Sequence, residues 1–95
     1  MTELERARGE IDRIDTDMAA LFERRMRVCA AIAGEKKRLG LAVYDETRES
    51  EMLETRTAAL ADKRLAPYYA EFLRAVTALS RKYQTDRLDG EEEKP

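Results

Sequence analysis

Apolar residues recur every three or four positions over the first 40 residues, which is the spacing of one face of an α-helix. Thr2 can cap the start of this segment, and a run of three cations followed by Gly40 is typical of a helix end. The pattern therefore predicts one long first helix. Its apolar stripe comprises Leu4, Ala7, Ile11, Ile14, Met18, Leu21, Phe22, Val28, Cys29, Ile32 and Leu39.

Two cations interrupt this apolar stripe. Arg25 takes the place of an apolar residue, and Lys36 lies in the adjacent column of the helix. At 100° per residue, side chains eleven positions apart point within about 20° of each other and lie about 16 Å apart along the axis. Cys29 and Ile32 form the floor between them. Because a cation on a buried stripe is costly unless an anion meets it, the pattern indicates a site for a small anion.

The length of this helix indicates that the chain forms a dimer. From Leu4 to Leu39 it would span about 54 Å, whereas a compact domain of this size has a radius of gyration of about 13 Å. One chain cannot wrap such a helix, but an intertwined dimer can. Arg8 lies about 25 Å from Arg25 on the same helix, so we expect it to serve the partner's site.

Two more helices are predicted to follow. Asp45 is a suitable N-cap for a second helix from Glu46 to about Asp62, which brings Arg48 and Glu49 near its apolar side. Residues 63–66 should form a turn. The sequence thus predicts an all-α, three-helix protomer.

Pro67 fits the first position of the third helix, which we expect to run to about Arg87. Ser80 and Gln84 are four positions apart and so share a face. Residues 88–95 are acidic and predict a disordered tail, which leaves residues 1–87 as the single domain.

Composition and charge limit the classes of partner that the protein can bind. Charged residues make up 40% of the chain and the net charge is −2, so no global field favours nucleic acid or an anionic membrane. The longest apolar run, residues 28–33, is too short to span a bilayer, and the charged N-terminus lacks the apolar region of a signal peptide. We therefore expect a cytoplasmic protein that binds neither nucleic acid nor membrane.

The absence of histidine limits the chemistry. With no His and only Cys29, the chain offers no Ser–His or Cys–His nucleophile pair, no internal disulfide and no cysteine or histidine metal site. Any reaction must rely on Arg, Lys, carboxylates and amides.

The motifs, taken in order, resemble the all-helical (AroQ-class) chorismate mutases over residues 4–87. They are Arg8 with Ile11-Asp12-x-Ile14-Asp15, Glu23-Arg24-Arg25, Ile32-Ala33-x-x-Lys36, Gly40-Leu41-x-Val43-Tyr44-Asp45-x-x-Arg48-Glu49 and Ser80-x-x-x-Gln84. The resemblance implies an entwined homodimer with two active sites. It also implies that chorismate is converted to prephenate by a Claisen rearrangement, without cofactor or metal, in phenylalanine and tyrosine biosynthesis. No dehydrogenase or dehydratase domain follows, so we expect a free-standing mutase.

The resemblance assigns roles by position. Arg25 and the partner's Arg8 would hold the substrate carboxylates. Lys36 and Gln84 would donate hydrogen bonds to the ether oxygen, and Lys36 would also reach a carboxylate.

The resemblance also assigns roles to the other four motif residues. Glu49, helped by Asp45, would bind the ring hydroxyl, while Arg48 and Ser80 would complete the wall and support the carboxylate contacts. The catalytic set implied in this way is Arg25, Lys36, Glu49 and Gln84.

Other functions compete with this one. An isochorismate pyruvate lyase or an aminodeoxychorismate mutase would share the fold and a similar set of cations. A non-catalytic dimeric helical interaction module is the alternative of a different class. It predicts that Arg25 and Lys36 pair with internal carboxylates such as Asp15 or Glu49, which would leave no cavity.

Overall fold

The computed structural model describes residues 1–93, with side-chain surroundings for residues 1–90. It contains helix α1 (Glu3–Leu39), helix α2 (Glu46–Ala58), one 3₁₀ turn (Lys63–Leu65) and helix α3 (Ala66–Glu93). The described residues contain no strand. The prediction of an all-α protomer with three helices and a very long first helix is confirmed.

Helix α1 has the ends that the sequence predicts. The Thr2 side chain accepts the Glu5 N–H at 3.1 Å. At the other end, Gly40 has φ 71°, its N–H bonds to the Lys37 carbonyl at 3.1 Å, and the Leu41 N–H bonds to the Lys36 carbonyl at 2.8 Å. These two bonds form a Schellman motif, which needs a left-handed residue and therefore favours glycine. The motif turns the chain back toward α1.

Two helix boundaries were predicted wrongly. Helix α2 ends at Ala58 rather than near Asp62, because the Asp62 side chain instead caps the 3₁₀ turn by accepting the Arg64 N–H at 3.0 Å. Helix α3 begins at Ala66, one residue before Pro67.

The end of α3 was also predicted wrongly, since the helix continues past Arg87 to Glu93. Residues 88–93 of the predicted tail are thus helical, and residues 94–95 lie outside the described part of the chain. The helix can continue because Leu88 is half-buried. Gly90 does not prevent this, since a glycine inside a helix lowers its stability by only about 1 kcal/mol relative to alanine.

The three helices leave a wedge-shaped space between α1 and α2, with α3 at its base. Both α1 and α2 pack along α3, whereas α1 and α2 barely contact each other. The buried core is small, and its residues belong to α1 and α3. Its members are Cys29, Ala33, Leu73, Ser80 and Gln84.

The first half of α1 extends beyond the rest of the protomer. Every side chain from Glu10 to Arg24 is exposed, and the molecule measures 56 Å along its longest axis. Its radius of gyration is 17.0 Å, against about 13 Å for a compact domain of this length. The apolar stripe is therefore not covered within one protomer. Its residues Leu4, Ile11, Ile14, Met18, Leu21, Phe22, Val28 and Ile32 are 43–58% exposed.

Within residues 1–93 no helix is both long and apolar enough to cross a membrane.

Two glycines, one inside α1 and one at its C-terminal cap, should respond oppositely to substitution by alanine. Gly40→Ala should lower the free energy of unfolding by about 1 kcal/mol, because alanine is strained at positive φ. Gly34→Ala should raise it by about 0.5–1 kcal/mol, because Gly34 is helical and nothing lies within 4 Å of an added Cβ. Urea unfolding at fixed protein concentration measures both. Destabilisation by Gly34→Ala equal to that by Gly40→Ala would contradict the assigned conformations.

Candidate active site

The wedge between α1 and α2, closed at its base by α3, contains a cavity of about 380 Å³. The connector between α1 and α2 contributes Val43 and Asp45 to its rim. The lining residues are Arg25, Val28, Cys29, Ile32, Lys36, Val43, Asp45, Arg48, Glu49, Met52, Arg56, Thr77, Ser80, Arg81 and Gln84.

Arg25 is fixed at one end of the cavity by a neutral partner. Its guanidinium Nη1 donates a hydrogen bond to Ser80 Oγ and lies 3.8 Å from Cys29 Sγ. The Ser80 hydroxyl donates in turn to the Val76 carbonyl at 2.8 Å, so its proton is directed away from Arg25. Ser80 is buried and Arg25 is half-buried. The guanidinium is thus oriented without being neutralised.

Lys36 is held at the other end, again by neutral groups. Its Nζ donates to the Val43 carbonyl at 2.6 Å and to Gln84 Oε1 at 3.3 Å. The Schellman motif at Gly40 makes the first bond possible, because it returns the connector to α1. Gln84 is only 6% exposed, and its amide nitrogen Nε2 makes no hydrogen bond with the described residues. Lys36 and Gln84 therefore form adjacent donors on one side of the cavity.

The start of α2 supplies the two carboxylates. Asp45 caps the helix as predicted, and its Oδ1 accepts the Arg48 N–H at 3.0 Å. Glu49 is half-buried and accepts a hydrogen bond from Arg81 Nη1 on α3. The Arg81 guanidinium also lies over the Tyr44 ring, 4.6 Å from its centroid.

Seven of the eight site residues predicted from the sequence line this cavity, and one does not. The seven are Arg25, Lys36, Asp45, Arg48, Glu49, Ser80 and Gln84. Arg8 lies on the exposed first turns of α1, outside the cavity of its own protomer. The chemical roles assigned to all eight residues remain predictions.

Sequence reasoning missed several lining residues. Arg81, Arg56 and Thr77 belong to the cavity wall, although none was assigned to the site. Arg81 follows Ser80 directly and points about 100° further around α3, toward α2. The sequence contains no signal for this placement, because it depends on the side of α3 against which α2 packs.

The cavity is positively charged although the chain is acidic overall. Five cations and two carboxylates line it: Arg25, Lys36, Arg48, Arg56 and Arg81 against Asp45 and Glu49. Among the described residues, Arg25 and Lys36 have no carboxylate partner, and the side chains of Arg48 and Arg56 have no hydrogen bond or ion pair. The pairing and the missing cavity predicted for an interaction module are both contradicted.

Two carboxylates outside the cavity have a lowered pKa. A side-chain hydrogen bond from Arg38 lowers the pKa of Glu35, and hydrogen bonds from Arg64 lower the pKa of Asp62.

In residues 1–93, no three His, Cys, Asp or Glu side chains are grouped so that they could hold a metal ion. Chemically, cations without carboxylate partners in a cavity suit an anion with two or more negatively charged groups.

Comparison with known proteins identifies relatives. The sequence profile of the family described as chorismate mutase type II matches residues 7–85. The structure is similar to that of a conserved hypothetical protein from Pyrococcus furiosus, with 31% sequence identity and a TM-score of 0.71. That similarity covers 88% of this chain and 97% of the other. No match was found among curated proteins.

The excess of cations predicts stabilisation by divalent anions. Sulfate should raise the melting temperature more than chloride does at equal ionic strength, because a bound dianion would relieve repulsion among the lining cations. Arg25→Met should reduce this difference, whereas Arg24→Met, on an exposed neighbour outside the cavity, should leave it unchanged. Differential scanning calorimetry measures the effect. An unchanged difference in Arg25→Met would mean that sulfate acts on the surface in general rather than in the cavity.

Proposed function

The chain belongs to the chorismate mutase type II family, and we propose that it converts chorismate to prephenate. The observation that carries this proposal is the pair of adjacent donors, Lys36 and Gln84, in a cavity with uncompensated cations. Chorismate carries two carboxylates and an ether oxygen, and this cavity offers complementary groups for all three. The product would serve the biosynthesis of phenylalanine and tyrosine.

Substrate binding would rely on the unpaired cations. The guanidinium of Arg25 can form a bidentate contact with one carboxylate, since Ser80 fixes its orientation without neutralising it. Arg48 lines the same cavity, and its side chain has no hydrogen bond or ion pair with the described residues, which suits a supporting contact. Lys36 could reach a carboxylate as well as the ether oxygen.

The rearrangement needs no nucleophile and no general base. The ether C–O bond breaks as a new C–C bond forms within the same molecule, so no atom or proton is exchanged with the protein. Two contributions remain for the protein to make. It must hold the enolpyruvyl arm folded over the ring, and it must stabilise negative charge that develops on the ether oxygen.

Lys36 and Gln84 suit the second task. The Val43 carbonyl and Gln84 Oε1 already hold the ammonium, so little reorganisation accompanies the charge shift. Gln84 is a buried residue, and its Nε2 makes no hydrogen bond with the described residues, which leaves this donor available to the same oxygen. Donors oriented in advance in a partly dehydrated site stabilise a transition state more than water does.

The two carboxylates favour a ring hydroxyl on the substrate. Glu49 and Asp45 can each accept a hydrogen bond, and a hydroxyl donates one. Isochorismate pyruvate lyase and aminodeoxychorismate mutase activities are the alternatives with the same fold. The identity of the product separates these reactions, since the lyase releases pyruvate.

A homodimer would complete the site. The exposed apolar stripe of α1 is long and unsuited to water, which supports burial against a second copy. A two-fold arrangement could bring the partner's Arg8 to the open end of the cavity near Arg25. Each site would then contain residues of both chains.

Replacing Lys36 should abolish most of the turnover. Lys36→Met should lower kcat by about 10²–10³-fold, because one charge-stabilising donor is lost. Lys37→Met is the matched control, since Lys37 is exposed on the same helix and does not line the cavity. The loss of chorismate absorbance, with prephenate identified as the product, measures both variants.

Full activity of Lys36→Met would contradict the site assignment. If the unaltered protein fails to convert chorismate, isochorismate should be tried next, with released pyruvate as the readout. Failure with both substrates would contradict the proposed function.

Two inactive variants should restore each other if the site is shared. In a heterodimer of Arg8→Ala and Arg25→Ala chains, one site has both arginines and the other has neither. Equal amounts refolded together should regain about a quarter of the original activity, because half of the dimers are mixed and each has one intact site. Native mass spectrometry would verify that mixed dimers form. Mixed dimers without activity would rule out the shared site.

A further inference from the structure

We propose that Arg81 is a positioning residue, which holds the Glu49 carboxylate in the orientation that receives the ring hydroxyl of the substrate. This inference rests on the function proposed above, and it assigns a role to a residue that sequence reasoning did not single out. It also explains why a cavity built for a dianion contains a salt bridge.

The Arg81–Glu49 pair differs from the other ion pairs of the described residues. Those three pairs, Glu3–Arg6, Glu35–Arg38 and Asp62–Arg64, are local and lie on the outer surface. Arg81 and Glu49 come from different helices, 32 positions apart, and their side chains are 35% and 21% exposed. Each side chain of those three pairs is at least 41% exposed. A pair with this degree of burial is screened less by solvent and fixes geometry better than a surface pair.

The connector also fixes Arg81. Its guanidinium carbon lies 4.6 Å from the centroid of the Tyr44 ring, within the range of a cation–π contact. Tyr44 immediately precedes Asp45, the N-cap of α2. The guanidinium therefore joins three segments at once: α3 through its own backbone, α2 through Glu49, and the connector through Tyr44.

These contacts set the orientation of Glu49. One carboxylate oxygen, Oε1, accepts the Arg81 hydrogen bond, which leaves Oε2 to accept a donor from the cavity. Because Arg81 restrains the carboxylate, Oε2 keeps one direction rather than several. Such an acceptor suits a single hydroxyl group on a ring whose position is set by the carboxylate contacts at the other end.

Arg81 is already paired with a carboxylate, whereas the other cations of the cavity have none among the described residues. Its Nη1 is bonded to Glu49 and its guanidinium stacks on Tyr44. Arg25, Lys36, Arg48 and Arg56 have no carboxylate partner among the described residues. Arg81 would thus act on the substrate through Glu49, while the other cations would meet the substrate anions.

Arg81→Gln tests this role through the separation of KM from kcat. The hydrogen bond of the ring hydroxyl changes little as the ether bond breaks, so its loss weakens ground state and transition state alike. We expect KM to rise about tenfold, the effect of losing one hydrogen bond to a charged group, with kcat changed by less than about twofold. Arg81→Lys should restore part of the loss. Lys82→Gln removes a cation from the exposed neighbouring position and should leave both constants unchanged.

A double-mutant cycle with Glu49→Ala distinguishes positioning from direct contact. If Arg81 acts through Glu49, then Arg81→Gln should have no further effect on kcat/KM in the Glu49→Ala background. The same tenfold loss in both backgrounds would overturn the proposal, because it would mean that Arg81 contacts the substrate itself. A loss confined to kcat would overturn it as well.

The unfolding free energies of the same four proteins separate this inference from the proposed function. Coupling between Arg81 and Glu49 in urea unfolding would support the restraint without reference to any substrate. Absence of coupling would overturn the restraint even if chorismate is converted. Absence of turnover by the unaltered protein would overturn the proposed function and the ring-hydroxyl role together, whatever the unfolding cycle gives.

Discussion

Half-buried cations held by neutral partners are the feature on which the rest of this structure depends. Arg25 is oriented by Ser80, and Lys36 by the Val43 carbonyl and Gln84. Removing a cation from water without giving it an anion costs free energy, so these contacts would be a poor choice for stability alone. They leave the charge available to a ligand. Ser80 and Gln84, the buried polar residues of the core, orient these cations and add no apolar contacts.

The architecture follows from the need to keep this wedge open. Because α1 and α2 pack on α3 and barely touch each other, the space between them remains free. The Schellman motif at Gly40 determines how α1 leads into the connector, and the connector carries both the carbonyl that holds Lys36 and the cap of α2. A single positive φ thus links the end of one helix to the geometry of the site. Few apolar side chains are buried in return, and the protomer core stays small.

The sequence predicts features that depend on local rules. The helix period placed Arg25 and Lys36 on one side of α1, and capping rules identified Thr2, Gly40 and Asp45. Features that depend on contacts between helices could not be predicted. Asp62 looked like part of α2 by composition, although its carboxylate caps the next turn. Arg81 could not be recognised, since its contact with Glu49 requires knowing which flank of α3 faces α2.

The exposed half of α1 connects stability with catalysis in the proposed enzyme. Every side chain from Glu10 to Arg24 is exposed, so these turns gain no packing energy within one chain. Short isolated helices are marginal in water, and most helical stability in proteins comes from burying an apolar face. If a second copy covers the stripe, the contact that stabilises α1 also fixes the position of Arg8 relative to the other cavity. Dimer formation and completion of the site would then be one event, and dilution would weaken both together.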